Sequence, residues 1–184
     1  MAFKLKGSRL ALSNTAWNVF LDHVVDEHNE IPDYIVVRPL RERTGNVAGV
    51  AVLPVLNDHL VLIRSYRHPL DSEIWEVARG FIDADETATQ AALRELKEET
   101  GLTCSPDDLI PLGHYAPEPS TIAGRGALFV ATKCAGQPRH GDDELGIRAV
   151  HRFTRDEIRS LLDKHEIEDA GTAILLHRYF ALGR

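Results

Sequence analysis

Glu95, Glu98 and Glu99 stand close together in the run RELKEETGL. If that run is helical, a turn of about 100° per residue puts the three carboxylates on one stripe of the helix. Thr89, Leu93 and Leu96 project to the adjacent arc and are expected to pack against a sheet, so the stripe lies at the edge of the buried face. Like charges gathered beside a core repel one another and are costly to desolvate. Arg94 can pair with Glu98 four residues on, but one guanidinium does not balance three carboxylates. A divalent cation does. All-oxygen ligation without histidine or cysteine favours a hard ion, Mg²⁺ or Mn²⁺, of the kind that keeps waters and bridges carboxylates to phosphates. The competing reading is a solvated Glu/Lys helix face, the usual meaning of an isolated charge run.

The flanking residues favour the metal. Gly80, Glu86, Arg94, Glu95, Leu96, Glu98, Glu99, Gly101 and Leu102 fill every defined position of the pattern G-x5-E-x7-R-E-U-x-E-E-x-G-U, with U aliphatic, and the chain thereby resembles the Nudix hydrolases. That resemblance implies metal ligation by Glu95, Glu99 and the backbone carbonyl of Arg79, with Glu98 ligating or bridging a second ion. It also implies that Glu86 and Arg94, with Gly80 and Gly101, hold the loop and helix in place. One departure is Arg79 itself, which stands where relatives usually have a small residue and whose side chain is expected to enter the pocket or alter substrate preference. Ser65 likewise replaces a glutamine common between Arg64 and Tyr66.

Three features resemble the branch that hydrolyses ADP-ribose and nucleotide sugars. IRSYRHP (Ile63 to Pro69) is similar to its arginine-bearing strand and implies Arg64 and Arg67 as substrate-binding residues. Arg67 is preferred, because a planar fork takes two phosphate oxygens at once, and Arg64 lies on the opposite strand face by alternation. Pro117, fifteen residues after Leu102, matches a marker proline. The region before residue 45 resembles a dimerising N-terminal subdomain. In HGDDELGIRAV, Glu144 is the implied catalytic base, with Asp143 second and Glu98 as the alternative.

These residues need elements to position them. WNVFLDHVV (Trp17 to Val25) and YIVVRPL (Tyr34 to Leu40) read as an antiparallel hairpin, and Val47 to Leu56 with Leu60 to Arg67 as a second one turning at Asn57-Asp58. Further strands are expected at Ile74 to Ala78, Leu109 to Tyr115, Ala127 to Lys133 and Gly146 to Phe153. A helix from Asp85 or Thr87 to Thr100 is bounded by a Thr87/Gln90 capping box and Gly101. Thr154 with Glu157, and Asp169, cap two closing helices. The expectation is an α+β fold, a Nudix-like α/β/α sandwich of mixed sheet and packed helices. Its domains are a small β subdomain at 1–45 and a catalytic domain at 46–184.

The chain's 184 residues carry a net charge of −7, which argues against a broad nucleic-acid surface. Cys104 and Cys134 lack metal-ligand spacing, and neither a membrane span nor a signal core is legible, so a cytoplasmic protein is expected. The reading is Mg²⁺-dependent pyrophosphate hydrolysis of ADP-ribose or a similar nucleoside diphosphate sugar by a homodimer, with no nucleic-acid or membrane partner. Its rivals are a GDP-mannose-type or dinucleotide pyrophosphatase and a non-catalytic nucleotide-sensing module.

Overall fold

The computed structural model describes residues 3–40, 44–141 and 145–183. The chain forms two compact units, Met1–Ala48 with Ala116–Arg125, and Gly49–Tyr115 with Gly126–Arg184.

The first unit is an antiparallel sheet of β1 (Lys4–Ser13), β2 (Trp17–Val25) and β3 (Glu30–Pro39), in that spatial order. β2 and β3 form the expected hairpin, and its turn closes on Asp26, whose carboxylate accepts from the N–H groups of His28 and Asn29. β1 was not expected. Every one of its residues is exposed, so no buried face imprints an alternation on the sequence, and only the ladder from Lys4↔Val25 to Ser13↔Asn18 makes it a strand. The segment 116–125 belongs to this unit because Val37 exchanges backbone hydrogen bonds with Thr121 and Ala123.

The second unit is built on a sheet of β4 (Val47–Leu56), β5 (His59–Arg67), β6 (Ser72–Glu76), β7 (Ala78–Phe81), β8 (Leu109–Tyr115), β9 (Arg125–Ala131) and β10 (Ile147–Phe153). Its spatial order is β10-β5-β4-β9-β8, with β6 beside β5 and β7 beside β4. Asn57 and Asp58 both take positive φ, 49° and 61°, as a tight primed turn requires. The strand expected over Ile74 to Ala78 is divided at Val77, its first part pairing with β5 and its second with β4. Val77 leaves the ladder, and its N–H finds the Thr172 hydroxyl instead.

Three helices complete the unit: α1 (Ala88–Thr100), α2 (Arg155–Asp163) and α3 (Ala170–Ala181). Thr87 and Gln90 close the expected capping box, Thr154 and Glu157 a second one, and Asp169 accepts from the Thr172 N–H at the start of α3. Gly101 ends α1 at φ 70°, a conformation that disfavours a side chain.

Alternation divides the core between the two faces of the sheet. Ala51, Leu53, Leu60 and Leu62 pack with Ile158 of α2 and Leu175, Leu176 and Tyr179 of α3. Val50, Val52, Val61 and Ile63, equally buried, face the other way. Gly80 pairs with Val50 and so shares its face, and there it meets Glu95 of α1. Helices thus cover both faces of a mixed sheet, and β7 lies where the two layers meet the same strand. Among the described residues no helix is long and apolar enough to cross a membrane.

Candidate active site

Everything in the candidate site hangs on β7, the turn after it and α1. Gly80 lets α1 approach: a Cβ there would fall 2.1 Å from Glu95 Oε1, so any side chain would displace that carboxylate. The Arg79 N–H donates to Glu99 Oε2 at 2.7 Å. In an extended strand the N–H and C=O of one residue project to the same edge, so the Arg79 carbonyl faces the same side as Glu99. Glu95 and Glu99, one turn apart, are each only 7% exposed, whereas the Glu98 side chain is 46% exposed.

Arg94 ties these carboxylates to the preceding turn. Its guanidinium donates to both oxygens of Glu86, at 2.8 and 3.0 Å, to Glu95 Oε1 at 2.7 Å, to Glu98 Oε2 at 2.9 Å and to the Phe81 carbonyl at 2.9 Å. The bond to Glu86 is the largest influence holding Arg94 above the ordinary range of an arginine, and those to Glu95 and Glu98 add to it against burial. Glu86 lies before the cap, in a turn closed by its N–H on the Asp83 carbonyl, and not in the first helical turn. The anchoring of loop to helix is therefore a fan of bonds from one planar donor, which only arginine supplies.

Among the described residues no three acidic, histidine or cysteine side chains are gathered tightly enough to hold a metal by themselves. The donor set nevertheless suits a hard cation. It offers two buried carboxylates on one helix face and a strand carbonyl on the same edge, with oxygen as the only donor.

Arg79 takes a course that its sequence position did not disclose. Its side chain donates to Asp169 Oδ1 at 2.6 Å and also to Glu76, which is fully buried. Burial works against the Arg79 charge, but the carboxylates of Asp169 and Glu76 more than offset it and raise its pKa. Arg67 grips the same Glu76 from the other side, its Nε at 3.0 and 2.9 Å from the two carboxylate oxygens. Two arginines and two acids form one balanced cluster, with the Tyr115 ring close enough to Gly171 to demand glycine there. Sequence reasoning missed Glu76 and gave Asp169 only a capping role. The available signal was an acid inside an apolar strand with arginines upstream and downstream.

Arg64 lies apart from this cluster, stacked over Trp75 at 4.9 Å and 3.7 Å from Glu73. Trp75 itself packs edge-on against His151 and Phe153. The hydroxyl of Ser65 is buried with no hydrogen-bond partner among the described residues. Pro117 lies in the 116–125 segment of the first unit. Asp142, Asp143 and Glu144 lie outside the described residues. The chain leading to them is held on the last turn of α1, where Arg139 and Gly141 donate N–H groups to the carbonyls of Thr100 and Glu98.

Comparison with known proteins gives the family. Residues 45–175 match the model of the NUDIX domain. The ADP compounds hydrolase NudE of Escherichia coli is 30% identical over 146 residues, covering 78% of this chain and 77% of that protein. The ADP-ribose pyrophosphatase of Bacillus subtilis is 28% identical over 160 residues, 84% of each chain. A crystal structure of an ADP compounds hydrolase superposes with a TM-score of 0.79 at 22% identity, covering 99% of this chain and 94% of that one. The chain belongs to the Nudix family, and its domain and its relatives make it a Nudix pyrophosphohydrolase. Members of that family generally use divalent metal ions.

Proposed function

We propose that this protein catalyses the Mg²⁺-dependent hydrolysis of the pyrophosphate bond of ADP-ribose or a similar nucleoside diphosphate sugar, releasing AMP, or another nucleoside monophosphate, and a sugar phosphate. The observation that carries the reading is the pair of buried carboxylates, Glu95 and Glu99, set against the Arg79 peptide by Gly80. Glu95, Glu99 and the Arg79 carbonyl would hold the ion, and the more exposed Glu98 would take a second one. When bound there, such an ion would supply charge neutralisation for the diphosphate and a lowered pKa for the attacking water. Glu144 takes the proton as the water oxygen bonds to one phosphorus and the bridging P–O bond breaks. The hold of Gly141 on the end of α1 supports an acid from the following residues in that role. Arg67, with its fork already oriented by Glu76, meets the substrate phosphate or terminal ribose. Arg64, set against Trp75 and Glu73, plays a lesser part in substrate binding.

The names of the two relatives, which specify ADP compounds and ADP-ribose, support the substrate class. The N-terminal sheet supports a homodimer: Leu5, Leu10, Leu12 and Ile35 are each more than half exposed there, and isolated chains rarely leave so much apolar surface in water. The same reading places the enzyme in the cytoplasm, acting on small molecules.

The test is product release from ADP-ribose, GDP-mannose, UDP-glucose, NADH and a nucleoside triphosphate, with Mg²⁺ or EDTA, for the wild type, Glu99→Gln and Glu144→Gln. Strongest Mg²⁺-dependent turnover on ADP-ribose, lost in Glu99→Gln and greatly lowered in Glu144→Gln, is the expected result. Preference for GDP-mannose or a dinucleotide changes the substrate and keeps the chemistry. Binding without turnover of any compound replaces the enzyme with a nucleotide-sensing module.

A further inference from the structure

Asp169 serves two elements at once. Its Oδ2 accepts from the N–H of Thr172 at 2.8 Å and from the Thr172 hydroxyl at 2.7 Å, capping α3, while its Oδ1 accepts from Arg79. The Thr172 oxygen in turn accepts from the Val77 N–H at 3.0 Å. A hydroxyl is one donor and two acceptor sites, so Thr172 makes both bonds together. The first turn of α3 therefore grips the β7 region at two points on either side of Ala78, the Val77 amide and the Arg79 guanidinium.

These contacts are shielded from water. Side-chain exposure is 0% for Glu76, 11% for Asp169 and 27% for Arg79, and Thr172 is buried. β7 has only four residues and pairs with β4 alone, so its own ladder constrains the Arg79 peptide weakly. That peptide is the one whose N–H holds Glu99.

We propose that Asp169 is a positioning residue for the metal site: through Arg79 it fixes the peptide whose N–H orients Glu99 and whose carbonyl would ligate the ion. The proposal rests on the metal-site reading above. It explains why an arginine is accommodated where a small residue suffices for a carbonyl ligand. The side chain turns away from α1 to the α3 face, because Arg79 pairs with Ala51 across the ladder and shares that residue's face.

Asparagine caps a helix as well as aspartate does, so Asp169→Asn removes the charge offered to Arg79 while keeping α3 started. The experiment is Mn²⁺ binding to the substrate-free protein, read from the resonance of free Mn²⁺. It compares the wild type, Asp169→Asn, Arg79→Gln, the double variant and Glu99→Gln, with thermal melting alongside. Loss of an outer partner of a metal ligand costs about 10–100-fold in affinity. A loss of about tenfold is expected in Asp169→Asn and in Arg79→Gln, each with a lowered melting temperature that still lies above the temperature of the binding assay. The double variant should be no worse than either single one, because the two residues act as one unit. Unchanged Mn²⁺ affinity in Asp169→Asn, with binding still abolished by Glu99→Gln, overturns the positioning role and leaves the metal site standing. Retention of Mn²⁺ by Glu99→Gln overturns both. Should Asp169→Asn fail to fold, Arg79→Gln, which leaves the cap untouched, decides the same question.

Discussion

The Glu95 carboxylate occupies the space where a side chain on Gly80 would begin, 2.1 Å from Oε1 and 2.4 Å from the carboxyl carbon. The closeness of strand and helix is thus set by the absence of one carbon atom.

Gly80→Ala should displace Glu95 and separate α1 from β7. A loss of about 100-fold or more in kcat/KM on ADP-ribose is expected, equivalent to about 2.7 kcal/mol of transition-state stabilisation. Steady-state kinetics beside a melting curve checks it. A variant that turns over normally would mean that Glu95 is not held where the chemistry needs it.

Arg94→Lys keeps the charge and loses the fan of bonds to Glu86, Glu95, Glu98 and the Phe81 carbonyl. Glu95 is buried but Arg94, Glu86 and Glu98 are only partly so, and a loss of about 1–2 kcal/mol is expected. That corresponds to a fall of roughly 2–8 °C in melting temperature for a domain of this size. Glu98→Gln touches only the most exposed arm of the fan and should leave the melting temperature nearly unchanged.

Arg67→Lys should raise KM more than it lowers kcat, because an ammonium cannot engage Glu76 and a phosphate as a fork does. An increase of about tenfold in KM, about 1.4 kcal/mol, is expected. An unchanged KM in initial-rate measurements removes Arg67 from substrate binding.

Cys134 is buried, and burial pushes its thiol up to about 12 from an ordinary value of 9.0. The unfolded chain releases this proton first, so folding is fully favoured below pH 9.0 and loses stability as pH rises toward 12. The effect amounts to a few kcal/mol at most. Urea unfolding of the wild type and Cys134→Ala through that window should show a steeper alkaline decline in the wild type. Parallel declines would assign the loss to other groups. At pH 8 the folded protein should also alkylate slowly at Cys134, and the unfolded chain readily.

Much of the site was legible because it is local. The carboxylate stripe, the Thr87 cap, the Gly101 stop and the Arg94 link to Glu98 lie within one helix and its ends, where a 3.6-residue period and short side chains decide who meets whom. The caps at Thr154 and Asp169 were legible for the same reason. β1 was not: a strand with no buried face leaves no period to read. The break at Val77 was also hidden, because the apolar run IWEVA reads the same whether it serves one neighbour or two.

By itself the sequence determined the family, the acidic helix and the arginine that braces it, since spacing along one helix is already spacing in three dimensions. Only the tertiary structure decided where Arg79 points and what Glu76 and Asp169 do. Glu76 lies on β6 and Asp169 at the start of α3, ninety residues beyond Arg79, and the three meet only when the start of α3 is brought against β6 and β7. Buried charges must find partners wherever the fold brings them together, and no local period records that meeting.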